Sequence, residues 1–358
     1  MPLKQWNSPR SGLELPETRR RKDFDTVARF IEFTTRYSAS CAIFATLAAG
    51  EECRNSSSPK LGYVIRKIEK SVIITRIVGG LGNQMFQYAV GRALSIESRQ
   101  PLKLDLTEME RYKVHACQLD QLNIIYDVAD RREIPHSPRK SVFGKLVNSL
   151  KNKGRIPQLF EKTQSFDPNI MNWRRPAHLS GYWQSEKYFA RHGDIIRQDF
   201  SLKQPCSHLR QGFLSKIRSV ETPISVHVRR GDYVTNHRAN TIHGTCEPSW
   251  YQKAMAMMAT KAASPTFFIF SDDPKWAKAN LPQYEGAVFV EPQADGKDAE
   301  DMHLMAACHS HIIANSTFSW WGAWLNPRDD KRVIAPAQWF RSAEQDSTDI
   351  VPSTWERL

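Results

Sequence analysis

Few cysteines and no long apolar run mark this 358-residue chain, and each scarcity removes a class of function. Its six cysteines, Cys41, Cys53, Cys117, Cys206, Cys246 and Cys308, include no C-x-x-C pair. That argues against a zinc ribbon or redox dithiol and fits a reducing compartment. The longest membrane candidate, residues 41–49, falls far short of the ~20 residues a span requires. Basic residues precede it, but deep inside a long N-terminal tract, so it reads as a short helix rather than a signal peptide. No D-x-D follows a strand: the one such triplet is Asp23-Phe24-Asp25, in that same tract. Asp272 and Asp273 are adjacent, so on extended chain they point opposite ways. No histidine pair at zinc-binding spacing falls on a good helix, and no metal is expected.

The chain does carry charge. Its formal net charge is +12, which suits nucleic acid, anionic lipid or a phosphate-bearing substrate. Residues 1–70 hold 13 Lys/Arg against 8 Asp/Glu, a net of +5, and a second basic cluster spans residues 131–155. No long basic stripe is interleaved with aromatics, so nucleic acid is not the expected partner. The cluster at 131–155 is either a solvated loop or a peripheral contact with anionic membrane. The expected location is therefore cytoplasmic, at most peripheral on the inner membrane face.

Residues 1–71 show no sustained helix or strand period and read as a basic, poorly ordered extension. Order begins at Val72-Ile73-Ile74-Thr75-Arg76-Ile77-Val78, a buried strand. Gly79-Gly80-Leu81-Gly82 ends it, and Asn83 is the predicted N-cap of a helix running to Ser98. A second strand covers residues 102–106. The later chain alternates strands near 224–228, 266–270, 287–290, 311–314 and 332–335 with helices near 248–261, 299–308 and after Thr317. Apolar strands alternating with helices predict an α/β protein with parallel sheets covered on both faces. Two Rossmann-like domains, residues 72–220 and 221–358, would face a cleft.

Ligands of such folds sit at the carboxyl ends of strands. Four polar segments fall there: residues 79–83, 227–232, 271–273 and 315–317. A guanidinium pair after a strand, Arg229-Arg230, can hold a diphosphate, although a salt bridge from this loop to a neighbour such as Asp232 explains one arginine equally well. Asn315-Ser316-Thr317 opens a helix whose free N–H groups and dipole favour an anion; a plain helix cap is the alternative. Together the two segments form a candidate phosphate clamp. Trp320, Trp321 and Trp324 at helical spacing read as core, with Trp320 the one candidate for a sugar platform. Gly79-Gly80-Leu81-Gly82-Asn83 lacks the full G-x-G-x-x-G pattern, which makes a nucleotide-cofactor oxidoreductase a weak rival.

Three long segments carry a family resemblance. Val78-Gly79-Gly80-Leu81-Gly82-Asn83-Gln84-Met85-Phe86-Gln87-Tyr88-Ala89, His227-Val228-Arg229-Arg230-Gly231-Asp232-Tyr233-Val234 and Ile313-Ala314-Asn315-Ser316-Thr317-Phe318-Ser319-Trp320-Trp321 resemble the α-1,2-fucosyltransferases of glycosyltransferase family eleven, in order, across residues 72–340. The resemblance implies a GT-B-like fold and inverting transfer of L-fucose from GDP-fucose to a galactoside-type acceptor, with no cofactor beyond the donor. It places Arg229 on the β-phosphate, His227 near the guanine, Asp301 on the guanine, Asp272 or Asp273 near the nucleoside, and Ser316 and Thr317 on phosphate, with Arg230 and Asn315 in the same site. Gly80, Gly82, Asn83 and Gln84 would form the acceptor side of the cleft, facing a galactose-terminated glycan. Arg229 would stabilise the leaving group, and Asp232 and His243 are joint candidates for the base that takes the acceptor proton. Residues 1–71 have no counterpart in that resemblance. The non-enzyme alternative is an anion- or membrane-binding module. The sequence does not specify an oligomeric state.

Overall fold

Strand β1 (Ile73–Arg76) and helix α1 (Leu81–Ser98) open the ordered chain of this computed structural model, which describes residues 71–110, 116–135, 155–292, 297–342 and 345–358. The extension and most of the basic cluster lie outside the described residues. At the cluster's flanks, Arg131 pairs with Glu110, Arg132 with Asp130, and Arg155 donates to the Ile134 carbonyl. No helix among the described residues is long and apolar enough to cross a membrane.

Helix α1 begins three residues before the predicted position. Gly80 is its N-cap, in extended conformation, and its carbonyl accepts from the amides of Asn83 and Gln84 at 2.9 and 3.1 Å. Gly79, at φ +83°, makes the turn that allows this early start. Asn83 is thereby the third helical residue, and its side chain is released from capping.

Strands β2 (Leu102–Asp105), β3 (Asp127–Val128), β4 (Gln158–Phe160) and β5 (Ala177–Ser180) join β1 in one parallel sheet of order β3-β2-β1-β5-β4. The second sheet holds β6 (Thr222–Val228), β7 (Pro265–Ser271), β8 (Val288–Val290), β9 (Ser310–Ile312), β10 (Val333–Ala335) and β11 (Glu356–Arg357), in the order β11-β10-β9-β6-β7-β8. All pairings between named strands are parallel. Read from β8, the second sheet has the doubly wound order 3-2-1-4-5-6, with the strand direction of progress reversing between β6 and β9. The first sheet reverses between β1 and β5. The expected GT-B-like pair of Rossmann-like halves is what the chain forms.

Nine more α-helices follow α1 in chain order among the described residues: α2 (Pro168–Met171), α3 (Gly193–Asp199), α4 (His208–Ser219), α5 (Gly231–Thr235), α6 (His237–His243), α7 (Pro248–Ala259), α8 (Pro274–Asn280), α9 (Asp298–Ala306) and α10 (Thr317–Leu325). Helix α4 precedes residue 220, yet its Ile217, Phe213 and Leu214 pack with Phe268, Val288 and Leu304 of the second sheet's core. In the other direction, Trp320, Trp321 and Trp324 of α10 join Phe86 of α1 and Phe189 in one aromatic core. Phe86 lies 4.5 Å from the Trp320 ring and 4.8 Å from Trp321. A cut at 220/221 separates the sheets but not their cores.

Candidate functional site

Both reversal points open onto one cleft of about 490 Å³. Its first wall comes from residues 79–83 after β1 and from Tyr182 and Gln184 after β5; its second comes from the ends of β6, β7 and β9 and the start of α9. The four strand-end segments predicted from sequence all contribute.

Strand β6 delivers His227 and Arg229, two residues apart and so on the same face. His227 is buried, and burial together with the Arg229 charge pushes its pKa down to about 3. It is a neutral imidazole at any working pH, able to hydrogen-bond but not to act as a cation. Arg229 Nη1 lies 2.9 Å from Asp272 Oδ2 at the end of β7. The other carboxylate oxygen accepts the Arg230 backbone N–H at 2.8 Å. A Cβ at Gly231 would stand 2.6 Å from Asp272 Oδ2, so a larger residue there would push this carboxylate away from the two arginines. Half-exposed ion pairs of this kind contribute only about 0–1 kcal/mol, so the effect of Asp272 is orientation. It aims a guanidinium, the planar donor fork that suits an oxyanion.

Arg230 goes elsewhere. Its guanidinium stacks 4.0 Å over Trp276 and pairs with Asp273 at 3.4 Å, and it does not line the cleft. The expectation that it binds nucleotide is corrected by strand alternation: consecutive residues leaving β6 diverge. Asp273 accepts from the Trp276 amide as the N-cap of α8.

Helix α10 points its first turn at the cleft. Ser316 is its N-cap in extended conformation with no side-chain capping bond, so both Ser316 and Thr317 bring hydroxyls to the cleft wall. Helix geometry leaves the first-turn N–H groups without intrahelical acceptors, adding positive potential. Asn315 lines the cleft too, but its side chain is committed. Its Nδ2 donates to the carbonyls of His243, Gly244 and Trp339 at 2.9, 3.3 and 3.2 Å. Rather than offering an amide to phosphate, Asn315 ties the loop after α6 to the segment after β10.

Helix α9 brings Asp298 and Asp301 to the cleft. Asp301 is ion-paired with the fully buried Arg210 at 2.6 Å, and Arg210 also donates to the Glu291 carbonyl at 2.7 Å. Burial raises the Asp301 pKa to about 6 against the pull of Arg210, with Asp298 and Glu300 adding to the rise.

Of the two candidate bases, His243 is in the cleft wall, its ring stacked 4.7 Å from Tyr233 at an interplanar angle of 3°. Tyr233 also carries the Arg229 guanidinium 5.5 Å over its ring, and its hydroxyl donates to the Asn315 carbonyl at 3.4 Å. One aromatic ring therefore braces both polar groups. The backbone of Asp232 lies in α5; its side chain lies outside the described residues.

On the first wall Gly80, Gly82 and Asn83 line the cleft as expected, whereas Gln84 does not. Gln84 is buried: its Nε2 donates to the carbonyls of Gly79 and Ala116, and its Oε1 accepts the Gln118 amide. Helical rotation of about 100° per residue turns it from the cleft, where it pins the loop beneath. Gly82 serves the contact between halves, since its Cβ would sit 2.5 Å from the Thr317 carbonyl carbon. Trp320 is fully buried with Nε1 donating to the Ile350 carbonyl at 2.7 Å, which excludes a sugar platform there.

Sequence reasoning missed Tyr182, Gln184, Tyr233 and Asp298. Tyr233 stood inside a quoted motif and Asp298 in the same first helical turn as Asp301. Tyr182 and Gln184 follow a strand, Ala177–Ser180, whose buried His178 and Ser180 break its apolar pattern.

Comparison with known proteins identifies the family. Over 296 residues the chain is 36% identical to an α-1,2-colitosyltransferase of Escherichia coli, covering 80% of this chain and 99% of that protein. It is 33% identical over 307 residues to the O-antigen biosynthesis glycosyltransferase WbnK of Escherichia coli, covering 78% and 98%. A galactoside α-(1,2)-fucosyltransferase 1 of Mus musculus is 31% identical over 159 residues, 41% of each chain. The family model of glycosyl transferase family 11 matches residues 53–357, starting within the tract expected to lack a counterpart and running past residue 340. The chain belongs to glycosyl transferase family 11.

Proposed function

We propose that this glycosyltransferase moves L-fucose from GDP-fucose to a galactoside hydroxyl, with inversion at the anomeric carbon and formation of an α-1,2 linkage. The observation that carries the reading is the meeting of Arg229 with the first turn of α10 across the β6/β9 reversal point. Two positive groups fixed on different strands suit a pyrophosphate. Asp301 and Asp298, which line the cleft from α9, supply acceptors for the N–H edge of a guanine.

In the reaction the acceptor oxygen forms a bond to the anomeric carbon while the bond from that carbon to the β-phosphate oxygen breaks. The electron pair leaves with GDP, and the acceptor proton passes to a base. Such transfers run through an oxocarbenium-like transition state. Charge growing on the β-phosphate meets Arg229 and the α10 N–H groups, already oriented by Asp272 and the fold, so no reorganisation is needed as the bond breaks. These groups supply the neutralisation in a metal-independent transfer. His243 is the base candidate that the cleft wall presents.

The name of the 36% identical relative makes GDP-colitose the donor to test beside GDP-fucose. The protein is incubated with each GDP-sugar and methyl β-galactoside, with and without EDTA, and the product linkage is read by NMR. An α-1,2-fucoside whose rate EDTA leaves unchanged is expected. Arg229→Ala should lower kcat by about 10²–10³ while the protein stays folded. Preference for GDP-colitose would replace the donor assignment, and full activity of Arg229→Ala would overturn the role of that residue.

A further inference from the structure

The two walls of the cleft differ in chemistry. The second carries the charges, Arg229, Asp272, Asp298 and Asp301, whereas the lining residues of the first, 79–83 with Tyr182 and Gln184, include none. That neutral wall is nevertheless a built feature. Beyond β5, the Glu161 carboxylate accepts the backbone N–H groups of Tyr182 and Trp183 at 2.6 and 2.8 Å. Gly181 makes room for this latch, because a Cβ there would lie 2.4 Å from Glu161 Cβ. Trp183 is held in the left-handed region at φ +57°, where a bulky L-residue is disfavoured, and the Ser185 amide closes onto its carbonyl at 2.8 Å. Its indole is buried edge-on against Tyr188, 5.5 Å between centroids. The kink sends Trp183 into the core and its two neighbours to the cleft. Backbone strain held by surrounding structure concentrates at functional sites.

Tyr182 reaches the cleft with 44% of its surface exposed. Beside it Gln184 Nε2 donates to Asn83 Oδ1 at 2.9 Å. This bond orients both carboxamides and leaves a donor, Asn83 Nδ2, and an acceptor, Gln184 Oε1, for a ligand. An aromatic face with an ordered donor and acceptor, on a wall without charge, suits a neutral pyranose. One C–H face of the sugar packs on the ring, and neighbouring hydroxyls bond the amides.

We propose that Tyr182, Gln184 and Asn83 form the subsite for the acceptor's terminal sugar, with Glu161 as the residue that positions it. The inference rests on the transferase reading above, and it joins to Asn83, already expected on the acceptor side, the loop at residues 181–184 that the strand-end motifs do not include.

The test separates donor from acceptor. Initial rates are measured for the wild type, Tyr182→Ala, Tyr182→Phe and Gln184→Ala with GDP-fucose and methyl β-galactoside, and GDP affinity by calorimetry. Tyr182→Ala should raise the acceptor KM at least about tenfold, and Tyr182→Phe, which keeps the ring, should raise it less. GDP affinity and donor KM should stay unchanged. Saturation-transfer NMR of methyl β-galactoside with GDP bound reads the same subsite without turnover; its signal should vanish in Tyr182→Ala and persist in Arg229→Ala. An acceptor KM within twofold of wild type in Tyr182→Ala, an equal rise in donor KM, or a persisting galactoside signal would each overturn the assignment. Failure of the transferase reading shows separately, as absence of product from the wild type, and the galactoside signal still decides the subsite.

Discussion

Gly82→Ala should damage the protein out of proportion to one methyl group. The new Cβ would stand 2.5 Å from the Thr317 carbonyl carbon and 2.7 Å from the Phe318 amide nitrogen, both backbone atoms that no side-chain rotation can move. Ordinary contact begins near 3.4 Å, so the first turn of α10 must retreat by about 1 Å, an overpacking that costs about 1–3 kcal/mol. The retreat stretches the 2.9 Å bond from Trp321 Nε1 to the Gly82 carbonyl, and an indole N–H left unsatisfied in the core costs about 1–3 kcal/mol more. Against this, replacing a helical glycine by alanine gains about 0.5–1 kcal/mol. The net is a loss of about 1–5 kcal/mol, or a Tm lower by roughly 2–10 °C for a chain of this size. Because the moved turn is the one proposed to meet the donor phosphate, a 1 Å displacement should also cost about 10² in kcat. Calorimetry beside Gly212→Ala provides the control: Gly212 is exposed in α4 with nothing within 4 Å of its notional Cβ, so its alanine should raise Tm slightly. If Gly82→Ala melts at or above the wild type, as Gly212→Ala should, the argument for a close contact between α1 and α10 is wrong.

Asp301, with a folded pKa of about 6 against about 3.9 in the unfolded chain, binds more protons when folded between those values. Its contribution therefore favours folding at low pH and declines as pH rises from about 4 to about 6. Denaturation midpoints of the wild type and Asp301→Asn across pH 4–7 should diverge over that window, and parallel curves would contradict it. Arg210→Met leaves the Asp301 charge without its partner in a half-buried position and should cost about 3–5 kcal/mol in urea unfolding. Adding Asp301→Asn should recover part of that loss; strict additivity of the two would show that they do not act as a pair.

Strands β6 to β10 of the second sheet were legible because they are largely buried and read as apolar runs, and β6 and β7 pair along their full lengths; β11, the polar pair Glu356–Arg357, was not. The first sheet was legible only at β1 and β2. Strands β3 and β4 are two and three residues long with exposed positions, and β5 carries His178, whose Nε2 lies 2.9 Å from Asp105 across the sheet. Such strands owe their existence to their neighbours and leave little local signal. At the site, proximity in sequence misassigned two residues that element geometry would have placed correctly. Arg230 follows Arg229 on extended chain and so faces the other way, and Gln84 follows Asn83 on a helix and so turns inward. Asn315 was misread for a different reason. Its three carbonyl partners come from residues 243–244 and 339, and no local pattern reveals that loops so distant converge on one amide.

The glycine-rich segment and the tryptophan-rich segment, more than 200 residues apart, are best understood as one unit. Gly82 gives Thr317 room to approach, Trp321 returns a hydrogen bond to the Gly82 carbonyl, and Phe86 packs against both Trp320 and Trp321. Apolar burial on this scale, with two indoles entirely out of water, contributes several kcal/mol, far more than the half-exposed Arg229–Asp272 pair in the cleft. The aromatic core between the halves therefore sets the spacing of the cleft walls, and the polar groups on them inherit it. Asn83 on α1 and the N–H groups of α10 are held at one separation by the packing of the same two helices. Donor phosphate and acceptor sugar, if they occupy the walls as proposed, are brought into line by a contact that touches neither.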